Sequence, residues 1–260
     1  MNSVNKTLYI PLFGKAYVSR RGIILKDSRA EKIWSEAGFS LKGKSASKWL
    51  AFYMGMRSAV FDRWVSGRAK TSPEAVVLHI GCGLDSRAER VNAPCRWYDV
   101  DFPEVIAERR RWFEESESYR MLAADARESG WLEQLPRDHA IVVMEGVSMY
   151  FRPEELTALL EALAGHFARV ELLADFYTTL AAKASKHRNP INDVGVTTVY
   201  GMDDPRTLEN AAGLRYVREH SMTPPDMINQ LHGMEKSVFR RVYSGSVARK
   251  MYRMYEFGKN

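Results

Sequence analysis

Residues Val76 to Arg87 read VVLHIGCGLDSR, and residues Trp97 to Pro103 read WYDVDFP. The first is an apolar, β-branched run that stops at Gly81-Cys82-Gly83. The second is a short apolar run that ends in acids, with Asp101 about twenty residues beyond Gly81. A strand, a glycine turn, a helix and an acid-tipped strand form the layout of a nucleoside-cofactor site. The glycines let the backbone approach a ligand closely, and the acid accepts hydrogen bonds from ribose hydroxyls. The same residues also suit an ordinary tight strand-to-helix turn that binds nothing.

The composition of the turn discriminates between cofactors. A dinucleotide fingerprint needs G-x-G-x-x-G, with the helix N-terminus receiving pyrophosphate. Here Gly81 and Gly83 are followed by Leu84, Asp85 and Ser86, so the third glycine is missing. Asp85 near the helix start would repel a diphosphate and tolerate a cationic ligand. S-adenosylmethionine carries a sulfonium and an ammonium and no phosphate, so the turn suits it better than NAD.

From Thr71 onward, strand and helix patterns alternate. Strands are predicted at Val76–Ile80, Arg96–Val100, Arg120–Ala123, Ala140–Met144 and Val170–Ala174. Helices are predicted near Ser86–Val91, Pro103–Ser116, Ser129–Leu135 and Pro153–Phe167, with Pro103 and Pro153 at helix starts, where proline is tolerated. This alternation predicts an α/β fold with a doubly wound, mostly parallel sheet. Ligands then bind beyond the carboxyl ends of the strands. That places Gly81, Gly83, Asp99, Asp101, Asp125, Glu145 and Asp175 at the candidate site. The acids are individually unremarkable as caps or solvated loop residues; together they suggest a cationic or hydroxyl-rich ligand.

The opening third reads as helical. Asp27 can cap a helix ending at Gly38, and Ser47 to Val65 reads as a long, mostly buried helix. Arg57 lies within it among apolar residues, where an arginine needs an anionic partner unless it reaches solvent. Beyond Asp175 the pattern weakens. FYTTLAAKASKHRNPIND mixes a helical start with a loop around Asn189-Pro190, GMDDPRTLENA reads as a capped helix, Leu214–Val217 and Met251–Phe257 as late strands, and SMTPPDMINQLHGMEKSV as a loop or lid around Pro224-Pro225.

At 260 residues the chain has room for a sizeable core, and its net charge of +6 raises the question of nucleic acid. Its basic residues are spread, with no long Lys/Arg run and no RNA-binding aromatic signature, which argues against that partner. A mildly basic surface that attracts small anions explains the charge equally well. No apolar stretch is long enough for a membrane span, and the N-terminus has no secretory signal, so a cytoplasmic location is expected. The two cysteines, Cys82 and Cys95, make neither a C-x-x-C pair nor a zinc cluster, and no metal is expected. Cys82 reads as a small space filler within the turn.

The stretches TLYIPLFGKAYVSRRGIILKD, FYMGMRSAVFD, VVLHIGCGLDSR, RWYDVDFPEVIAERR, AADARES and VVMEGVSMYF follow one another in the order and spacing of a known family. From about Thr7 to Phe151 the chain resembles the leucine carboxyl methyltransferase family of class I S-adenosylmethionine-dependent methyltransferases, especially its bacterial polyketide O-methyltransferase branch. The resemblance implies a seven-stranded, Rossmann-like sheet with N-terminal helices and a C-terminal lid. It implies one methyltransferase domain, 1–260, made of a helical cap (1–70), a cofactor core (71–180) and a C-terminal part (181–260).

By the same resemblance, Lys15 and Arg57 hold the carboxylate of S-adenosylmethionine, a charge-assisted pairing that would give Arg57 its anion. Gly81 and Gly83 line the methionine portion, Asp101 binds the ribose, and Asp99 sits where the family often has an acid. Asp125 and Ala126 flank the adenine; the family often has a larger apolar residue at the second position. Glu145 lies near the ammonium. The product would be S-adenosylhomocysteine.

Family members methylate carboxylates, which are already ionised at neutral pH and need no general base. A phenol would benefit from one, for which His187, His220 and His232 are candidates. Arg188 or Arg240 could instead hold an anionic acceptor. No catalytic residue is assigned. The expected function is O-methylation of a carboxylate or acidic hydroxyl of a small molecule. The alternatives are a protein C-terminal carboxyl methyltransferase and a non-catalytic nucleoside- or RNA-binding protein on the same fold. The acceptor and the oligomeric state are left open.

Overall fold

The computed structural model describes residues 7–38, 40–188 and 198–259; the side chains of residues 186–188, 210 and 211 lie outside that description. The chain opens with helices α1 (Tyr9–Arg20), α2 (Ser28–Glu36) and α3 (Lys48–Thr71). Asp27 caps α2 by accepting from the Ala30 amide at 2.8 Å, and Ser47 caps α3 through the Trp49 amide. α1 and α3 pack closely through two glycines. A Cβ on Gly14 would lie 2.6 Å from Met54 Cβ, and one on Gly55 2.8 Å from Val18 Cγ2. Lys15 and Arg57 are carried in on these two helices.

The core follows as β1 (Val76–Ile80), α4 (Arg87–Val91), β2 (Arg96–Asp101), α5 (Pro103–Arg109), β3 (Tyr119–Ala123), β4 (His139–Met144), α6 (Pro153–His166) and β5 (Arg169–Tyr177). Helix α5 ends seven residues before the predicted Ser116, and the predicted helix at Ser129–Leu135 is a 3-10 turn at Ser129–Gln134. The remaining elements are α7 (Thr179–Arg188), α8 (Arg206–Ala212), β6 (Arg215–His220), α9 (Pro225–Ile228), α10 (Gly233–Val242), α11 (Gly245–Arg249) and β7 (Tyr252–Lys259). The segment read as a loop around Pro224-Pro225 is therefore largely helical. Pro225 occupies the first turn of α9, where its missing N–H has no intrahelical partner to lose. The loop expected around Asn189-Pro190 lies outside the described residues.

The sheet order is β3-β2-β1-β4-β5-β7-β6. The first five strands pair in parallel, and β7 runs antiparallel between β5 and β6. Every residue of β1 and β4 is buried, as expected for strands covered on both faces. The period-2 alternation divides their side chains between two cores. Val77, Ile141 and Val143 face the layer containing α3; Val76, Leu78, Ile80 and Val142 face α6. The strand order reverses between β1 and β4, and the turns after these strands flank the resulting crevice.

Candidate functional site

A cavity of about 900 Å³ occupies that crevice. This is near the upper end of the roughly 300–1,000 Å³ usual for small-molecule sites. Lys15, Arg57, Gly81, Gly83, Asp101, Asp125, Ala126 and Glu145 all line it. Asp99 does not.

The glycine turn is tied to β2 by the Gly81 amide, which donates to Val100 O at 2.8 Å. Gly81 has φ +69°, and a Cβ there would meet Val147 Cγ2 at 2.6 Å. Both the backbone region and the contact exclude a side chain. Asp101 closes the same turn from the next strand: its Oδ2 accepts from the Gly83 amide and its Oδ1 from the Phe102 amide, each at 2.8 Å. Burial pushes the Asp101 carboxyl up to about 6, against the pull of those two amides. A carboxylate has about four lone-pair directions, so each oxygen retains capacity for a hydroxyl from the cavity.

Asp99 is sealed inside, fully buried. It pairs with Arg109 and accepts from Trp97 Nε1 at 2.8 Å and from the Tyr119 hydroxyl at 2.6 Å. Its direct-contact reading is therefore corrected: Asp99 acts on the site through Arg109. That guanidinium donates to Gly83 O at 2.9 Å and to Asp85 O at 2.7 Å, so it braces the glycine turn from behind.

Asp85 lines the cavity but already has cationic partners within the chain. It is buried and surrounded by the chain's own cations: Lys15 Nζ at 3.1 Å, Arg87 Nη2 at 3.1 Å and Arg90 Nη1 at 2.7 Å. Burial works against its charge, but Arg87, Arg90 and Lys15 hold its carboxyl well below the usual range.

Arg57 is buried, with its Nε 3.1 Å and its Nη2 3.0 Å from Glu145 Oε1. Its Nη1 donates to the Tyr252 hydroxyl at 3.0 Å and lies 3.3 Å from Asp175 Oδ2. Gly146, at φ +71°, lets the end of β4 pass against this guanidinium; a Cβ there would lie 3.0 Å from Nη1. Glu145 also contacts Arg87 and accepts from Ser58 Oγ at 3.2 Å. Burial opposes the Glu145 charge, yet Arg87 and Arg57 lower its carboxyl to about 2. Asp175 is fully buried, and its Oδ2 has no hydrogen-bond partner. Burial pushes its carboxyl up to about 6 despite the neighbouring Arg57.

At the other end, Asp125 pairs with Arg127, whose amide also donates to Asp125 Oδ1 at 3.0 Å. Hydrogen bonding to Arg127 lowers its carboxyl. Phe102, Val105 and Ala124 give this end a flat, apolar wall. On the side of Arg57 and Glu145 the cavity lining is an aromatic chamber of Trp49, Tyr53, Tyr150, Tyr177, Tyr243 and Tyr252: Tyr252 accepts from Arg57, Tyr53 and Tyr177 pack on Tyr252, and Trp49 and Tyr243 stack at 5.7 Å. Burial raises the phenols of Tyr53, Tyr150 and Tyr252 above their ordinary value, so they stay protonated.

The histidine and arginine candidates for the acceptor side fare differently. His220 Nε2 bonds Glu256 at 2.6 Å in the β6–β7 pair, His232 stands exposed at the start of α10, and neither lines the cavity. Arg240 donates to Asn229 Oδ1 at the surface. The side chains of His187 and Arg188 lie outside the described residues. Arg87, Arg109 and the acceptor-side tyrosines were missed from sequence. The one available signal was a basic residue directly after the glycine turn, where a helix start disfavours positive charge.

The chemistry of the donor set fits an adenosine carrying a zwitterionic tail. Two cations and a carboxylate meet at one end, an acid with spare acceptor capacity stands in the middle, and an apolar slot lies at the other end. No group that could hold a metal ion occurs among the described residues.

Comparison with known proteins agrees with this geometry. The sequence profile of the leucine carboxyl methyltransferase family matches residues 11–164. The chain is 30% identical over 244 residues to the tetracenomycin polyketide synthesis O-methyltransferase TcmP of Streptomyces glaucescens, covering 92% of this chain and 90% of that protein. It is 26% identical over 242 residues to the S-adenosyl-L-methionine-dependent methyltransferase dpfgK of Gibberella zeae, covering 83% of this chain and 81% of that protein. Among solved structures, magnesium protoporphyrin IX methyltransferase from Synechocystis with bound S-adenosylhomocysteine superposes with a TM-score of 0.52. It is 15% identical and covers 90% of this chain and 93% of its own.

Proposed function

Because this chain belongs to the leucine carboxyl methyltransferase family, we propose that it transfers the methyl group of S-adenosylmethionine to a carboxylate oxygen of a small, flat, natural-product-like acid. The cofactor supplies an electrophilic methyl group on a sulfonium. Lys15 and Arg57 would hold its carboxylate, Glu145 its ammonium, Gly81 and Gly83 the methionine chain and Asp101 the ribose. Asp125, Ala126 and the Phe102 wall would take the adenine. These residues bind and orient; none of them needs to move a proton.

The observation that carries the choice of acceptor is the chamber beside Arg57 and Glu145. Its walls are aromatic, and its described phenols at Tyr53, Tyr150 and Tyr252 are held protonated by burial. Neither His220 nor His232 reaches it. Among the described residues, the aromatic walls of this chamber carry no base to deprotonate a nucleophile, which favours one that arrives ionised. A carboxylate does at neutral pH, whereas a phenol with a pKa near 10 does not. The enzyme's contribution is then alignment and exclusion of water.

No helix among the described residues is long and apolar enough to cross a membrane; a cytoplasmic location is part of the proposal. The test is methylation of aromatic carboxylic acids and phenols with a labelled cofactor, followed by mild base. A methyl ester releases labelled methanol, and an aryl methyl ether does not. Base-stable label on the preferred acceptor would overturn the carboxylate reading, and label on a protein band would favour the other branch of the family.

A further inference from the structure

Arg87 is fully buried and lies just behind the cavity without lining it. Its position at the start of α4 is one where local helix electrostatics disfavours a cation, so its identity needs a tertiary reason. Its Nε donates to Asp62 Oδ1 at 2.7 Å, and its Nη1 lies 3.2 Å from His79 Nε2. Its Nη2 donates to Ser58 Oγ at 3.2 Å, lies 3.1 Å from Asp85 Oδ2 and contacts Glu145. One nitrogen thus serves the two carboxylates that pair with Lys15 and Arg57.

The arrangement resolves a conflict in charge. Lys15 is committed to Asp85, and Arg57 to Glu145. A ligand carboxylate that recruits both cations draws them away from buried acids, and a buried acid left unpaired is strongly unfavourable. Asp85 keeps Arg87 and Arg90, and Glu145 keeps Arg87 and Ser58. Burial works against the Arg87 charge as well, but Asp85, Glu145 and Asp62 hold it protonated.

We infer that Arg87 is a positioning residue for the amino-acid end of the cofactor. It balances Asp85 and Glu145 internally, leaving Lys15 and Arg57 available to the ligand carboxylate and Glu145 ionised for the ammonium. This rests on the roles proposed above for Lys15, Arg57 and Glu145.

The test uses two ligands that share the adenosine thioether. S-adenosylhomocysteine has the amino-acid end, and 5′-methylthioadenosine lacks it. Their affinities are measured by calorimetry for wild type, Arg87→Met, Arg87→Lys and Arg57→Met. Arg87→Met should weaken S-adenosylhomocysteine at least tenfold and leave 5′-methylthioadenosine within about twofold. Arg87→Lys keeps the charge but cannot fork between two acids, so it should show an intermediate loss of the same selectivity. If the methionine variant does not fold, the lysine variant carries the test, with a fall of at least threefold in the ratio of the two affinities. Equal weakening of both ligands, or no change in either, would make Arg87 a scaffold residue and overturn the inference. If Arg57→Met loses the selectivity and the Arg87 variants do not, the site reading stands and the Arg87 role fails. If Arg57→Met also keeps the selectivity, the site reading fails, and the Arg87 role with it.

Discussion

Arg57 and Glu145 stand 88 residues apart in the chain and meet with Arg57 Nη2 3.0 Å from Glu145 Oε1, both side chains nearly sealed from solvent. One comes from a long helix and the other from the end of a central strand. Their meeting converts two locally unfavourable burials into one pair at the head of the cavity.

Replacing Arg57 tests this pair. Arg57→Met should weaken S-adenosylhomocysteine by about 2–5 kcal/mol, the range for truncating one member of a desolvated, hydrogen-bonded charge pair. The stability loss should fall short of the ~3–5 kcal/mol expected when a buried partner is left unpaired, because Glu145 keeps Arg87 and Ser58. Calorimetry and urea denaturation separate the two effects, and unchanged affinity would reject the assignment.

Asp101 predicts two opposite pH trends. Its folded carboxyl sits at about 6, above the ordinary 3.8. The folded state therefore holds the proton more tightly, and this contribution to stability is full below the unfolded pKa and is lost as pH rises through about 6. Accepting ribose hydroxyls requires the ionised form, so S-adenosylhomocysteine should bind more tightly as pH rises from about 5 to about 7. Asp175 titrates in the same range beside Arg57. Asp101→Asn should remove only part of the trend and should bind weakly at every pH. A full wild-type profile in Asp101→Asn would show that Asp101 is not the ribose acceptor.

Gly81→Ala should destabilise the fold through two separable effects. A left-handed backbone costs a side-chain-bearing residue about 1–2 kcal/mol. The clash with Val147, 2.6 Å from the added Cβ, adds overpacking of about 1–3 kcal/mol. Adding Val147→Ala removes the Cγ2 contact but leaves Cβ 2.8 Å from the new methyl, so it should recover only some of the second part and none of the first. Denaturation midpoints that recover fully would show that the backbone is not strained.

Arg109→Met should cost about 3–5 kcal/mol by leaving the fully buried Asp99 without its cation. The double variant with Asp99→Asn should recover much of that stability. Cofactor affinity should stay low in both, since the braces to Gly83 O and Asp85 O are gone. Normal affinity in the double variant would remove Arg109 from the support of the turn.

The pH profile of the reaction offers a last check. With a carboxylic acid as acceptor, the rate at saturating cofactor should be flat from about pH 6 to about pH 9. A rate that climbs about tenfold per pH unit across that range would mark an acceptor ionising near 10.

The sheet was readable because its strands carry strong local signals: short buried runs rich in Val and Ile in β1 and β4, and proline at the starts of α5 and α6. The late elements were less readable for a physical reason. Pro224-Pro225 punctuates a loop as readily as it opens a helix, and α10 is a short, mostly polar helix that buries one side chain, Phe239. In the candidate site, the glycines and Asp101 were legible because backbone conformation and strand ends are local properties. From its neighbours alone Arg57 was legible as an anomaly, an arginine among apolar residues, and its role came only from the family resemblance.

The local order of residues thus determined the alternating strands and helices, the conformation of the Gly81 turn and the acid at the tip of β2, since each depends on neighbours a few positions away. The tertiary structure alone decided which charges meet. Asp85 meets Lys15, Arg87 and Arg90, Asp99 turns inward to Arg109, and Arg57 finds Glu145. Pairing between buried ions depends on separations of a few ångströms across elements that are distant in the chain, and no local pattern encodes those separations.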